Sequence, residues 1–377
     1  MKVPILRIPF GDEDISFIKT RIEEALKSGQ LVLGKNVTEF ENRFAEFAGT
    51  KYAVGVNSGT SALEICLRAI DVRDSSVIVP TNTFMATPVS VIHAGGRVVF
   101  TDANKDDLCM SPDDLRRKIR KDTKAVILVH IGGIITSRLK EIMDICEEHN
   151  IYLIEDAAHA HGSTFNGKKA GGFGIAAAFS FYPTKVMTSC EGGIITTDSE
   201  EIYEKALILR DHGKAVQAFN QHIEFGYNWR LSEIHAVIGI EQMNKIDWIL
   251  SERRRVARAY DEKLKSVRGV KLVKIPENVE SSYYKYILYL GEGLERNPIK
   301  TKLRDDYGVS LTGEVYADLC HSQPVFQKYP EMMLNKSTDT FPGADYICKK
   351  HICLPLYPGL EDSEINYVVE SLKGVLK

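Results

Sequence analysis

Between residues 53 and 197, short apolar runs alternate with amphipathic stretches, and this alternation leaves few ways to fold. The runs at 53–56, 77–79, 98–100, 125–129 and 151–154 are too short for helices and carry almost no polar residues. Strands buried on both faces read this way. The stretches between them, such as 60–70 and 139–149, repeat apolar residues at helical spacing. Together they predict a mostly parallel sheet with helices on both faces. Runs at 176–181 and 193–197 complete that sheet. Two helices should precede it. One carries Ile15, Ile18, Ile22, Ala25 and Leu26 and stops at Gly29; the other spans 37–48 and stops at Gly49.

Beyond residue 230 the pattern changes. Residues 231–267 read as helical, the later part as a long helix leaving a large domain. Its basic run, Arg253-Arg254-Arg255, reads as a solvated face. Strand-like stretches at 270–274 and 283–290 and helix-like ones at 298–307 and 363–376 then suggest a smaller α/β domain. A chain of 377 residues accommodates both, divided as 1–250 and 251–377.

The net charge of −3 provides no long-range attraction for nucleic acid or anionic membrane, so any anion needs a local site. Seven cysteines at irregular spacing, with no CxxC, fit a reducing compartment without disulfides or a zinc site. Residues 1–10 lack a signal-peptide pattern, and no run approaches the ~20 apolar residues of a membrane span. A cytoplasmic protein is expected.

The chemistry should lie within residues 155–198. Asp156 follows an apolar run directly, and Lys185 sits in a turn-rich loop after another. In open α/β sheets, strand ends of this kind face the ligand crevice. An amine and a carboxylate facing one pocket suit pyridoxal 5′-phosphate (PLP): the lysine forms the Schiff base, and the carboxylate keeps the pyridine nitrogen protonated. The plain alternatives are a surface lysine and a helix-capping aspartate. Asn57-Ser58-Gly59-Thr60 lies between a strand and a helix, where Gly59 permits close approach and the helix start offers N–H groups to an anion. His159 and His161 could ligate a metal, but no further ligands at a recognisable spacing accompany them, and no metal is expected.

Asp156-x-x-His159-x-x-Gly162, Ser180-Phe-Tyr-Pro-Thr-Lys185 and Glu191-Gly-Gly193 resemble the DegT/DnrJ/EryC1/StrS family of PLP-dependent aminotransferases. The resemblance runs from about residue 14 to 360 and is densest between 57 and 230. It implies the aspartate aminotransferase-like fold (PLP fold type I), with Lys185 and Asp156 as catalytic residues. It places His159, where the family often has Gln, near the phenolic oxygen of the cofactor; a buried core histidine is the alternative. Ser58, Gly59, Thr60 and Ser180 would hold the phosphate, and Phe84 would stack on the ring. Asn228 would reach the cofactor phosphate of the neighbouring subunit, so the site would be shared across a homodimer. Arg230 would meet anionic substrate groups or form a salt bridge at a helix start.

The implied reaction moves an amino group from an amino acid, glutamate, to a keto sugar linked to a nucleotide. Two rivals stay open. The wording Asp156-Ala-Ala-His-Ala-His-Gly162 also resembles branches acting on cyclitols or other free keto compounds, and a non-catalytic regulator could use the same fold. A dehydratase of the family would carry histidine where Lys185 stands. Acceptor choice is expected from loops at 211–225 and 317–327.

Overall fold

The first nine strands are β1 (Tyr52–Val56), β2 (Ser76–Pro80), β3 (Arg97–Thr101), β4 (Thr123–Val129), β5 (Tyr152–Asp156), β6 (Thr164–Phe165), β7 (Lys168–Lys169), β8 (Ala176–Ser180) and β9 (Gly193–Thr197). They belong to a computed structural model that describes residues 1–215, 220–311 and 313–377. Seven of them form one sheet in the order β1-β9-β8-β5-β4-β2-β3. Only β9 runs against its neighbours in this sheet; the other pairings are parallel. The C-terminal ends of β1, β2, β4, β5 and β8 therefore open on the same edge, where a doubly wound sheet binds its ligands.

Small residues decide how closely the helix Gly59–Ala69 approaches this edge. It packs over β8, whose Ala176, Ala177 and Ala178 are buried and leave room for it. A Cβ on Gly59 would lie 2.8 Å from that of Ser180. Ser58 caps the helix, its Oγ accepting the Ser61 N–H at 3.1 Å.

Side chains alternate along β5, so Glu155 and Asp156 point to opposite faces. Glu155 is fully buried and accepts from His130 Nε2 at 2.9 Å and from the N–H groups of Gly171, Phe173 and Gly174 at 2.9, 2.6 and 3.0 Å. Burial pushes its carboxyl up, but the His130 bond and these amides outweigh it and hold it below the ordinary value.

A second sheet, β10 (Val270–Leu272), β12 (Tyr286–Leu290) and β13 (His351–Leu354), is antiparallel. Between them in sequence, β11 (Val279–Glu280) pairs with β6 and extends the β6–β7 ribbon. Helices Ile246–Leu264, Arg296–Tyr307 and Asp362–Val375 share a core with the second sheet, including Tyr260, Leu288, Leu303, Ile352 and Val368. Val3 is buried in the same core, its N–H bonded to Gly308 O at 3.1 Å, and Arg7 pairs with Glu364 at 2.6 Å. A division at 250/251 falls inside the helix Ile246–Leu264. No helix among the described residues is long and apolar enough to cross a membrane.

Residues 231–267 are helical as expected, in two pieces: Glu233–Asn244 and the longer Ile246–Leu264 meet at Lys245, whose φ of −114° breaks the path. One expectation is overturned: the arginine run is not a solvated face. Arg253 is only 2% exposed and donates to Tyr283 O at 3.1 Å. Arg254 donates to Ser281 O at 3.2 Å and Gly162 O at 3.1 Å. Only Arg255 behaves as a surface residue, paired with Glu252 and Asp362 at 2.8 Å each. The cause is long-range: strand-flanking carbonyls from 281–283 close over this helix, and a charge run does not reveal that in advance.

Glu155→Ala should leave His130 and three amides without their buried acceptor. Urea unfolding should then show a loss of about 3–5 kcal/mol. A loss within experimental error would remove Glu155 from the structural framework.

Candidate active site

Asp156 ends β5 and is 7% exposed. Thr87 Oγ1 donates to its Oδ2 at 2.9 Å, and Ala158 N–H to its Oδ1 at 3.2 Å. No helix starts after it, so the capping alternative is not what this carboxylate does. It forms no ion pair with another described residue, and burial pushes its carboxyl up against the opposing pull of the Thr87 bond.

Lys185 stands in the loop after β8. Burial lowers its amine to about 8; the charge of Asp156 works the other way, and the charge of Lys285 adds to the lowering. Burial is the largest cause. Lys185 Nζ lies 5.0 Å from the centre of the Tyr284 ring.

His159 is 3% exposed and joins an aromatic stack. Its ring lies 4.1 Å from that of Tyr284 at 16° and 5.8 Å from that of Tyr316 at 23°. Gly132 N–H donates to His159 Nδ1 at 3.3 Å, so Nε2 carries the proton and donates to Tyr316 Oη at 3.3 Å. Burial holds this imidazole well below its ordinary value, and the charges of Lys185 and Lys285 push it the same way. His161 turns elsewhere, wedged among Phe44, Phe179 and Phe181. No metal-binding cluster of His, Cys, Asp or Glu occurs among the described residues.

Ser58, Gly59 and Thr60 start the helix behind β1, and Ser180 ends β8. Gly59 brings the two together, and a Cβ on Gly193 would sit 2.2 Å from Ser58 O, so β9 presses on the same turn. The unpaired N–H groups of a helix start, with hydroxyls beside them, form an anion cradle. Phe84 is 62% exposed, with its ring 6.4 Å from that of Tyr316. Asn228 is exposed, and its backbone bridges Asp211. Arg230 donates to Asp211 Oδ1 at 2.6 Å, the salt-bridge alternative for this residue, while its backbone bridges Val56 at the end of β1. Of the two loops expected to choose the acceptor, residues 216–219 lie outside the described residues.

Sequence reasoning missed Thr87, Tyr284, Tyr316 and Lys285. Thr87 lies in the first turn of the helix Ala86–His93, just after the Phe84 loop, and no local pattern marks it. Tyr284 and Tyr316 arrive from the C-terminal unit, and no local pattern marks them.

The chain matches the profile of the DegT/DnrJ/EryC1/StrS aminotransferase family over residues 12–373. It belongs to that family. It is 32% identical to the GDP-perosamine synthase of Vibrio cholerae, over 90% of this chain and 91% of that one. It is 34% identical to the UDP-4-amino-4,6-dideoxy-N-acetyl-beta-L-altrosamine transaminase of Campylobacter jejuni, over 94% of each. The structure of NtdA from Bacillus subtilis, solved with bound cofactor PMP, superposes with a TM-score of 0.89 at 27% identity, covering 100% of this chain and 85% of that one.

The protein is thus a PLP-dependent aminotransferase of the DegT family with the α/β fold expected from the sequence. Its own residues fit the cofactor. A buried carboxylate without a cationic partner, an amine of lowered proton affinity and a helix-start cradle converge on one sheet edge.

In cofactor-free protein, an amine-acylating reagent should modify Lys185 with a midpoint near pH 8, since only the neutral amine reacts. Asp156→Asn removes the charge that favours the ammonium and should move the midpoint lower still. Peptide mass spectrometry reads both, and a wild-type midpoint near 10.5 would contradict the burial described here.

Proposed function

We propose that this aminotransferase moves an amino group from glutamate to the ketone of a nucleotide-linked sugar in amino-sugar biosynthesis, as a homodimer in the cytoplasm. The observation that carries the reading is Asp156, buried at a strand end without an ion pair among the described residues, its charge reaching the Lys185 amine. The names of the relatives from Vibrio cholerae and Campylobacter jejuni, both of nucleotide-sugar chemistry, support the acceptor class. We assign residues 1–250 to the PLP-binding domain and 251–377 to the small domain.

Bound here, PLP supplies an electron-withdrawing ring that eases proton removal from the carbon bearing the amine. Asp156 would keep the ring nitrogen protonated. Lys185, its amine lowered to about 8, would serve as the proton carrier for the substrate carbon. His159, held in one tautomer by Gly132, would serve the phenolic oxygen. Ser58, Gly59, Thr60 and Ser180 would hold the phosphate, Phe84 would stack on the ring, and Asn228 of each subunit would reach the phosphate of the other. Arg230 retains donors beyond the one given to Asp211, and these meet anionic groups of the substrate.

Borohydride treatment of the purified protein should fix a phosphopyridoxyl mass on the peptide carrying Lys185. A label on another lysine, or none after PLP loading, sinks the assignment. Asp156→Asn should still bind PLP but lose about two or more orders of magnitude in amino transfer.

The shared site is tested by mixing subunits. Lys185→Ala and Asn228→Asp homodimers should each be inactive or weak. If Asn228 acts across the interface, the heterodimer has one site with both lesions and one with neither, and regains up to about half of wild-type activity, as expected from a repelled phosphate at only one site. Heterodimers verified by mass that regain nothing would place Asn228 in its own subunit.

A further inference from the structure

A cavity of about 30 Å³ lies beside the lysine loop, lined by Thr184, the residue before Lys185. It has room for one small ion or a water or two and for nothing larger. Two cationic side chains, Arg253 and Lys285, also line it. Arg253 is 2% exposed, and its Nε has no hydrogen-bond partner among the described residues. No carboxylate among the described residues forms an ion pair with either cation. The carboxylate whose charge reaches Lys285 is Glu314, already shared by Lys300 at 2.6 Å and Arg296 at 3.9 Å. Much of the remaining wall is apolar: Leu354 and Leu356, with Ile5 and Leu6 of the N-terminal segment.

Lys285 Nζ lies 5.1 Å from the centre of the Tyr284 ring, which softens its charge without neutralising it, and two like charges beside one small void remain costly without a counter-charge. A water molecule solvates them but does not neutralise them. Burial lowers the amine of Lys285 and brings the Arg253 guanidinium to about 10, so the arginine at least remains a cation at neutral pH. Thr184 Oγ1, 3.3 Å from Tyr284 Oη, adds a hydroxyl donor to the wall. We propose that this cavity binds a single monovalent anion of halide size between Arg253 and Lys285. The site has a consequence for its neighbour. Lys285 lowers the proton affinity of Lys185, and an anion at this point offsets that influence.

The test is thermal unfolding of the PLP-loaded protein in chloride or bromide, with ionic strength held constant by gluconate, which is too large for the cavity. A ligand that binds only the folded state raises Tm as its concentration passes Kd. Halide should therefore raise Tm in a dose-dependent way referable to one Kd, and gluconate should not. Crystals soaked in bromide should show an anomalous peak between the Arg253 guanidinium and Lys285 Nζ. Lys285→Met, which keeps the chain length and removes the charge, should abolish the halide-specific rise. The variant needs only to fold, and the bromide peak is read on the wild type. Equal effects of halide and gluconate on the wild type overturn the proposal. So does a halide response that survives in Lys285→Met, or a bromide peak without a solution response, which is binding at crystal concentration only. A wild type indifferent to halide, as expected if Cys353, which raises the proton affinity of Lys285, already supplies the compensation, overturns it too.

Discussion

Two neighbouring carboxylates at the end of one strand are treated in opposite ways, and the site depends on the difference. Glu155 is surrounded by donors, with one imidazole and three backbone amides on its two oxygens. Asp156 receives one hydroxyl and one amide, and no cation. The alternation of a strand puts them on opposite faces. Glu155 therefore ties the 171–174 turn and His130 to the sheet while Asp156 is left facing the crevice. A buried carboxylate with so few partners is unfavourable unless something positive completes it. The protonated ring nitrogen of PLP is a group of that kind.

The rest of the site follows from the strand order. Parallel strands place their C-terminal ends together, so residues far apart in sequence reach one edge. Thr87 follows β2, His130 follows β4, Asp156 ends β5 and Lys185 follows β8. The one reversed strand, β9, has a different task. Its first residue, Gly193, begins with no room for a side chain and presses against the carbonyl of Ser58, which sets the start of the helix Gly59–Ala69.

The sheet was legible because apolar runs buried on both faces leave little ambiguity, and Asp156 and Lys185 stood out because each lies just beyond such a run. Other features depend on partners remote in sequence. Arg253 looked like one member of a solvated run until the carbonyls near Tyr283 closed over it. Tyr284 and Tyr316 look like ordinary aromatic residues, yet both stack near His159, whose tautomer Gly132 fixes. Arg230 was ambiguous in sequence because its partner Asp211 lies on the far side of a long loop.

The segment around Val3 and Arg7 has its partners in the last quarter of the chain, at Gly308, Val309 and Glu364. On the ribosome it emerges well before them, 357 residues ahead in the case of Arg7 and Glu364, and must wait. The large sheet can close on itself in the meantime, since its strands are complete by Thr197. The segment can dock only once its later partners exist, and it carries Ile5 and Leu6 onto the wall of the cavity behind the lysine loop. Assembly of the large sheet and completion of that wall are thereby separate events, ordered by the direction of synthesis.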